Sequence, residues 1–202
     1  MKNLYIPQLA FFSAALCLVL GLTATSSQAN ALSDELARSV TQDYNDRLGA
    51  LFTHFHRNPE LSFMETKTAK KLASELRKSG FKVTEKVGGT GIVAILKNGE
   101  GPLVMMRADM DGLPVKEKSG LDYASTATQI DPMTGNQVPV MHACGHDVHI
   151  TSLIGTARQM SARRKQWSGT LMLIGQPAEE LIRGAKAMMD DNLWERFGQP
   201  DY

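Results

Sequence analysis

Nine consecutive residues, Met141 to His149, contain three histidines, one cysteine and one aspartate. Thiolate and neutral imidazole are the donors that zinc-like ions prefer, so this density of His142, Cys144 and His146 points to metal chemistry. Gly145 separates Cys144 from His146. A glycine there permits a tight loop that turns both side chains toward one ion. Glu179 and Glu180 are adjacent and must point in different directions, so one carboxylate can bind metal while the other stays free as a general base. Asp109 and Asp111 follow an apolar run at i, i+2 spacing. One of them can face a metal or orient a ligand histidine while the other turns away. Together these groups could activate water at neutral pH and hydrolyse an amide without a covalent intermediate. Two other readings compete. Cys144 could be a nucleophile activated by a neighbouring histidine, or the chain could bind one metal or a partner without turnover.

These residues need elements to position them. Leu36, Val40, Tyr44, Leu48, Leu51, Phe52 and Phe55 recur at helical spacing, and Pro59 disfavours helix at Asn58, so the pattern predicts a helix from Ser33 to Arg57. His54 and His56 fall at its end. Ser62 and Glu65 have capping-box spacing, which predicts a second helix that starts near Phe63 and stops before Gly80. Strands are predicted over 81–87, 92–97, 103–108 and 170–175, with Gly88-Gly89-Thr90-Gly91 and Asn98-Gly99-Glu100-Gly101 as turns. The run from Leu103 to Ala108 is apolar apart from Arg107 and is expected at the centre of the sheet. Ligands of open α/β sheets bind at the carboxyl ends of strands, and there stand Asp109 and Asp111 after one strand and Glu179 and Glu180 after another. Residues 116–139 read as a long polar loop rimming the site, with turn residues at Asp131-Pro132 and Thr134-Gly135-Asn136. A helix over 148–160 places His149 in its first turn, where a structural role is expected. A further strand is expected to begin after Gln199-Pro200-Asp201.

Charge is balanced, with 22 Lys and Arg against 21 Asp and Glu, and the cations are dispersed, so nothing suggests a nucleic-acid partner. Residues 1–29 differ in kind from the rest. Lys2 is followed by an apolar run from Leu9 to Leu22, then by small polar residues up to Gln28, with Ala29 and Ala31 as small cleavage-site residues. This is a signal-peptide pattern, and the run is short for a membrane span of about 20 residues. The expectation is export to the periplasm or the medium, with no stable membrane insertion after cleavage. Cys17 leaves with the signal peptide, and Cys144 remains as a lone thiol that a metal would protect.

Four ordered segments carry a family resemblance: His56-Arg57-Asn58-Pro59-Glu60-Leu61-Ser62-Phe63, Arg107-Ala108-Asp109-Met110-Asp111-Gly112-Leu113-Pro114, Met141 to His149, and Gln176-Pro177-Ala178-Glu179-Glu180. The chain resembles the metal-dependent amidohydrolases and carboxypeptidases that include hippurate hydrolase, N-acyl-amino-acid amidohydrolases and indole-acetyl-amino-acid hydrolases. The resemblance implies a mixed α/β sheet flanked by helices and a centre of two divalent ions. Cys144, His146 and Glu180 are the implied metal ligands and Glu179 the implied general base. Asp109, Asp111, His142 and Asp147 are expected beside the ions or on the substrate side. The implied substrate is an N-acyl amino acid or small peptide, and zinc, manganese, cobalt and nickel all suit the ligands. Family members continue further, with an inserted domain through which they dimerise and additional histidine ligands. Residues 30–202 are therefore expected to be the N-terminal part of a catalytic domain. Leu181-Ile182-Arg183-Gly184 stands where the family usually has a glycine-rich turn.

Overall fold

The computed structural model describes residues 31–202. The signal-peptide expectation for residues 1–29 lies outside the described residues. Residues 31–42 are helical and belong to a unit of their own, and Asp43–Tyr202 is a second compact unit.

The second unit opens with a π-helical turn, Tyr44–Leu48, that runs into α1, Gly49–Arg57. Helical backbone does reach Arg57, but the wider π turn interrupts the regular spacing. The next helix, α2, spans Thr66–Lys78 and starts three residues later than the capping-box reading predicts. Phe63 has a left-handed φ of 61°, so it cannot itself be a residue of the right-handed helix. Neither Ser62 nor Glu65 caps α2. The carboxylate of Glu60 does, accepting the Lys67 N–H at 2.9 Å and the Thr68 N–H at 2.7 Å. Negative charge at a helix N-terminus satisfies free donors and suits the dipole.

Four strands form the main sheet: β1 (Lys82–Val87), β2 (Gly91–Asn98), β3 (Leu103–Asp109) and β6 (Gly169–Gln176). Their order is β1-β2-β6-β3, antiparallel except for the parallel pair β3–β6. The expected central strand is thus β6, not β3. On β6, Leu171 and Leu173 enter one apolar cluster while Met172 and Ile174 enter another, so both faces are covered. On β3 the outer side meets only the end of the chain among the described residues. Met105 N–H donates to the Tyr202 carbonyl at 2.8 Å, Asp201 N–H donates to the Leu103 carbonyl at 2.8 Å, and Val104 and Met106 stay 38% exposed.

Two short strands, β4 (Thr128–Ile130) and β5 (Gln137–Pro139), pair antiparallel inside the segment expected to be an irregular loop. The Asp131 carboxylate organises their turn by accepting the Met133 N–H and the Thr134 hydroxyl. α3 (His146–Ala162) follows, then β6, α4 (Gly184–Asp190) and α5 (Leu193–Phe197). Helices α1, α2 and α3 cover one face of the sheet, with Phe55, Leu72, Leu76, Ile150, Leu153 and Ile154 fully buried against it. Met188 of α4 and Leu193 of α5 cover the other. The unit is a three-layer arrangement with a mixed sheet in the middle, as expected.

Candidate functional site

The parallel register sets Asp109 of β3 opposite Gln176 of β6, so both strands end at the same level. The acids that follow each strand therefore meet. Gly145, with a left-handed φ of 77°, turns the chain into α3 directly beside them. That turn puts His146 at the first position of the helix and buries it at 3% exposure.

His146 is held from one side. Its Nδ1 donates to the Asp111 carbonyl at 2.8 Å, so Nε2 is the nitrogen that faces the acids. Nε2 faces Glu179 Oε2 at 3.7 Å and Glu180 Oε1 at 3.9 Å. The Asp111 carboxylate fixes those two acids through their backbone. Its Oδ1 accepts the Glu179 N–H at 3.1 Å, and its Oδ2 accepts the Glu180 N–H at 3.0 Å and the Ser62 hydroxyl at 2.6 Å. One fully buried aspartate thus aligns the histidine with one group and the glutamates with another. Behind them lies Glu65, also fully buried. It accepts the Ala178 N–H at 2.8 Å and the Thr90 hydroxyl, holding Ala178 in a left-handed conformation. Burial outweighs these hydrogen bonds and raises the Glu65 pKa. The turn after Glu180 requires Gly184, because a Cβ there would lie 1.4 Å from the Pro177 carbonyl oxygen. Ile182 in that turn is 92% exposed, so the departure from a glycine-rich sequence is absorbed at the surface.

The site is strongly acidic. Burial works against the His146 cation, yet the hydrogen bonds and charge of Asp111, with Asp109 behind them, raise its pKa to about 9. Cys144 lies exposed on the Glu180 side, and that glutamate raises its thiol pKa by hydrogen bond and charge. Glu180 Oε1 and Asp109 Oδ1 are buried without a hydrogen-bond partner among the described residues. A surplus of carboxylates, a histidine presenting Nε2 and unpaired buried oxygens are what a divalent cation would satisfy, so the donor set fits one. His146, Glu179 and Glu180 offer ligand atoms within 4.8 Å of one another, as do Asp109, His146 and His149. Cys144 stands outside both of these groups.

His142 is buried with neither ring nitrogen hydrogen-bonded among the described residues, and burial lowers its pKa to about 4. It is neutral and lies 6.5 Å from the His146 ring. Asp147 turns away from the acids and meets His56, whose Nδ1 is 2.7 Å from Asp147 Oδ2 and whose Nε2 is 3.1 Å from Glu117 Oε1. Burial opposes the charge on His56, but the two carboxylates outweigh it and raise the pKa. His56 therefore ties the first turn of α3 to the segment after β3, where Glu117 also accepts the Ser119 hydroxyl and the Ser125 N–H.

The motifs had signalled some of this only partly. Ser62 and Glu65 read as a helix cap and prove to be supports of the acid pair. Glu117 has no sequence signal of its own. His149 does have one, its i, i+3 spacing from His146, which puts both on one helix face.

Residues 105–202 match the model of the peptidase family M20/M25/M40. It is 44% identical over 143 residues to hippurate hydrolase of Campylobacter jejuni, covering 70% of this chain and 34% of that protein. It is 38% identical over 149 residues to N-acetylcysteine deacetylase of Bacillus subtilis, covering 73% and 37%. Among solved structures it is similar to the YXEP protein of Bacillus subtilis, described as a dinuclear metal-binding peptidase of the M20 family. That match has a TM-score of 0.66 and 35% identity, covering 76% of this chain and 41% of that one. The chain spans about a third of the length of the curated relatives it matches.

Proposed function

We propose that this protein hydrolyses the amide bond of N-acyl amino acids or small peptides in a divalent-metal-dependent reaction. The observation that carries this reading is the convergence of Glu179 and Glu180 on Nε2 of His146, with all three aligned by Asp111. Cys144, His146 and Glu180 are the metal ligands in this reading. A bound ion would supply Lewis acidity, polarising the scissile carbonyl and making water a stronger acid. Glu179, whose side chain is 39% exposed, faces the open side. It removes the proton from the attacking water and delivers it to the leaving amine. Asp111 keeps His146 in the tautomer that leaves Nε2 free. Neutral, buried His142 and the Asp147–His56 pair shape the site from behind. The hydrolase and deacetylase names of the relatives support the substrate class. The leader pattern supports export to the periplasm or the medium. Among the described residues no helix is long and apolar enough to cross a membrane.

A thiol nucleophile has less support. The acids around Cys144 raise its pKa and so deplete the reactive thiolate. The test is hydrolysis of a panel of N-acyl amino acids, hippurate and N-acetylcysteine included, before and after chelation. The metal reading expects activity to vanish on chelation and return with added Zn(II), Mn(II), Co(II) or Ni(II). Activity that survives chelation but not alkylation would transfer the role to the thiol.

A further inference from the structure

We propose that Glu65 is a positioning residue for the base, fixing the backbone turn that carries Glu179 while taking no part in holding an ion. The proposal rests on the amide-hydrolysis reading above and extends it to a side chain that touches neither the reacting atoms nor the ligand set.

At the end of β6, three consecutive N–H groups are accepted by two buried carboxylates. Ala178 donates to Glu65 Oε1 at 2.8 Å, while Glu179 and Glu180 donate to Asp111 at 3.1 Å and 3.0 Å. The two acids differ in what else they meet. Asp111 lies against Nδ1 of His146, with its carbonyl at 2.8 Å and its Oδ1 at 3.4 Å, so it serves ligand and base together. Glu65 has no contact of that kind. Its other donors are the Phe63 N–H, at 2.9 Å, and the Thr90 hydroxyl. It therefore joins the loop before α2, the turn between β1 and β2 and the end of β6 at one point, directly behind the residue that precedes Glu179.

Burial makes this arrangement costly. Glu65 is fully buried, and none of its partners among the described residues is a cation. A buried carboxylate without a cationic partner does not raise stability above that of a well-packed apolar side chain of similar size. What it supplies is direction. Ala178 has a left-handed φ of 45°, which an alanine does not hold by preference. Its carbonyl accepts the Gly184 N–H at 3.1 Å and its own N–H is held by Glu65, so the peptide units on both sides of it are set. Release of that N–H lets Ala178 return to a commoner conformation. The rotation turns the Ala178–Glu179 peptide unit and weakens the 3.1 Å bond from Glu179 to Asp111 before it reaches Glu180. The base therefore moves first and the ligand last.

The experiment follows hydrolysis of hippurate and N-acetylcysteine by the Zn(II)-loaded protein and by its Glu65→Leu, Glu65→Gln and Thr90→Val variants. Each is read for kcat, KM, metal content by elemental analysis and thermal unfolding. Glu65→Leu removes every acceptor and should lower kcat at least about tenfold with KM and metal content unchanged, because a displaced base loses turnover rather than binding. Glu65→Gln keeps Oε1 for the two N–H groups and turns its amide toward the Thr90 hydroxyl oxygen, so its kcat should stay within about threefold of the parent. Thr90→Val, which keeps the proposal open to test if Glu65→Leu does not fold, removes only the hydroxyl on Oε2 and should lower kcat about threefold or more in the same pattern. Parental kcat in folded Glu65→Leu or in Thr90→Val overturns the proposal. So does metal lost in step with activity, or a Glu65→Gln as impaired as Glu65→Leu. A Zn(II)-bound parent that hydrolyses neither substrate overturns the reading beneath it, and the proposal with it.

Discussion

Asp111 shows how much one side chain can decide. Its carbonyl selects the His146 tautomer, and its carboxylate fixes the backbone of both glutamates. The i, i+2 acids were legible as a carboxylate pair at a strand end, but the division between main chain and side chain was not, because it depends on where β6 ends in space. His56 is the other residue whose role required the fold. It bridges two carboxylates that are 91 and 61 positions away in the chain. A raised histidine pKa contributes stability that is complete below the unfolded value of about 6.5 and fades as pH rises through the folded value. Glu117 has a lowered pKa, so its share is present above the unfolded carboxylate value and fades in acid. His56→Gln should therefore cost about 1.5–3 kcal/mol near pH 6. Urea unfolding of parent and variant should show that difference shrinking toward pH 9. A difference independent of pH would mean that the bridge carries no charge.

At the scale of elements, the strands and the body of α3 were readable because their apolar residues recur with the right period, but α3 starts at His146, two residues before the expected 148. The start of α2 was not. A capping box is a local pattern, whereas the cap here comes from Glu60, seven and eight residues before the N–H groups it accepts. The left-handed Phe63 delays the helix and frees Ser62 and Glu65 to support the site. Glu60→Ala should cost about 0.5–2 kcal/mol by urea unfolding, in the range of other N-terminal caps. Amide exchange should rise first in residues 66–69. Unaltered exchange there would move the capping role elsewhere.

At the scale of the whole molecule, the sequence motifs identified the layers correctly but not the order of strands. An apolar run can mean a central strand or an edge strand, and β3 is an edge strand among the described strands. β6 takes the centre because its alternate residues are buried on both faces. That placement is what brings the Glu pair beside Asp109 and Asp111. The site is thus a product of topology: two parallel strand ends and one helix start, each carrying residues that the sequence separates by more than 30 positions.

The most direct measurement is the metal content of the purified protein beside Glu180→Gln and Glu179→Gln, with hydrolysis followed in parallel. The assignment of Glu180 as ligand and Glu179 as base predicts that Glu180→Gln loses metal and activity together. It predicts that Glu179→Gln keeps its metal while turnover falls by roughly 10²–10⁴-fold. Full metal content in Glu180→Gln, or full turnover in Glu179→Gln, would contradict it.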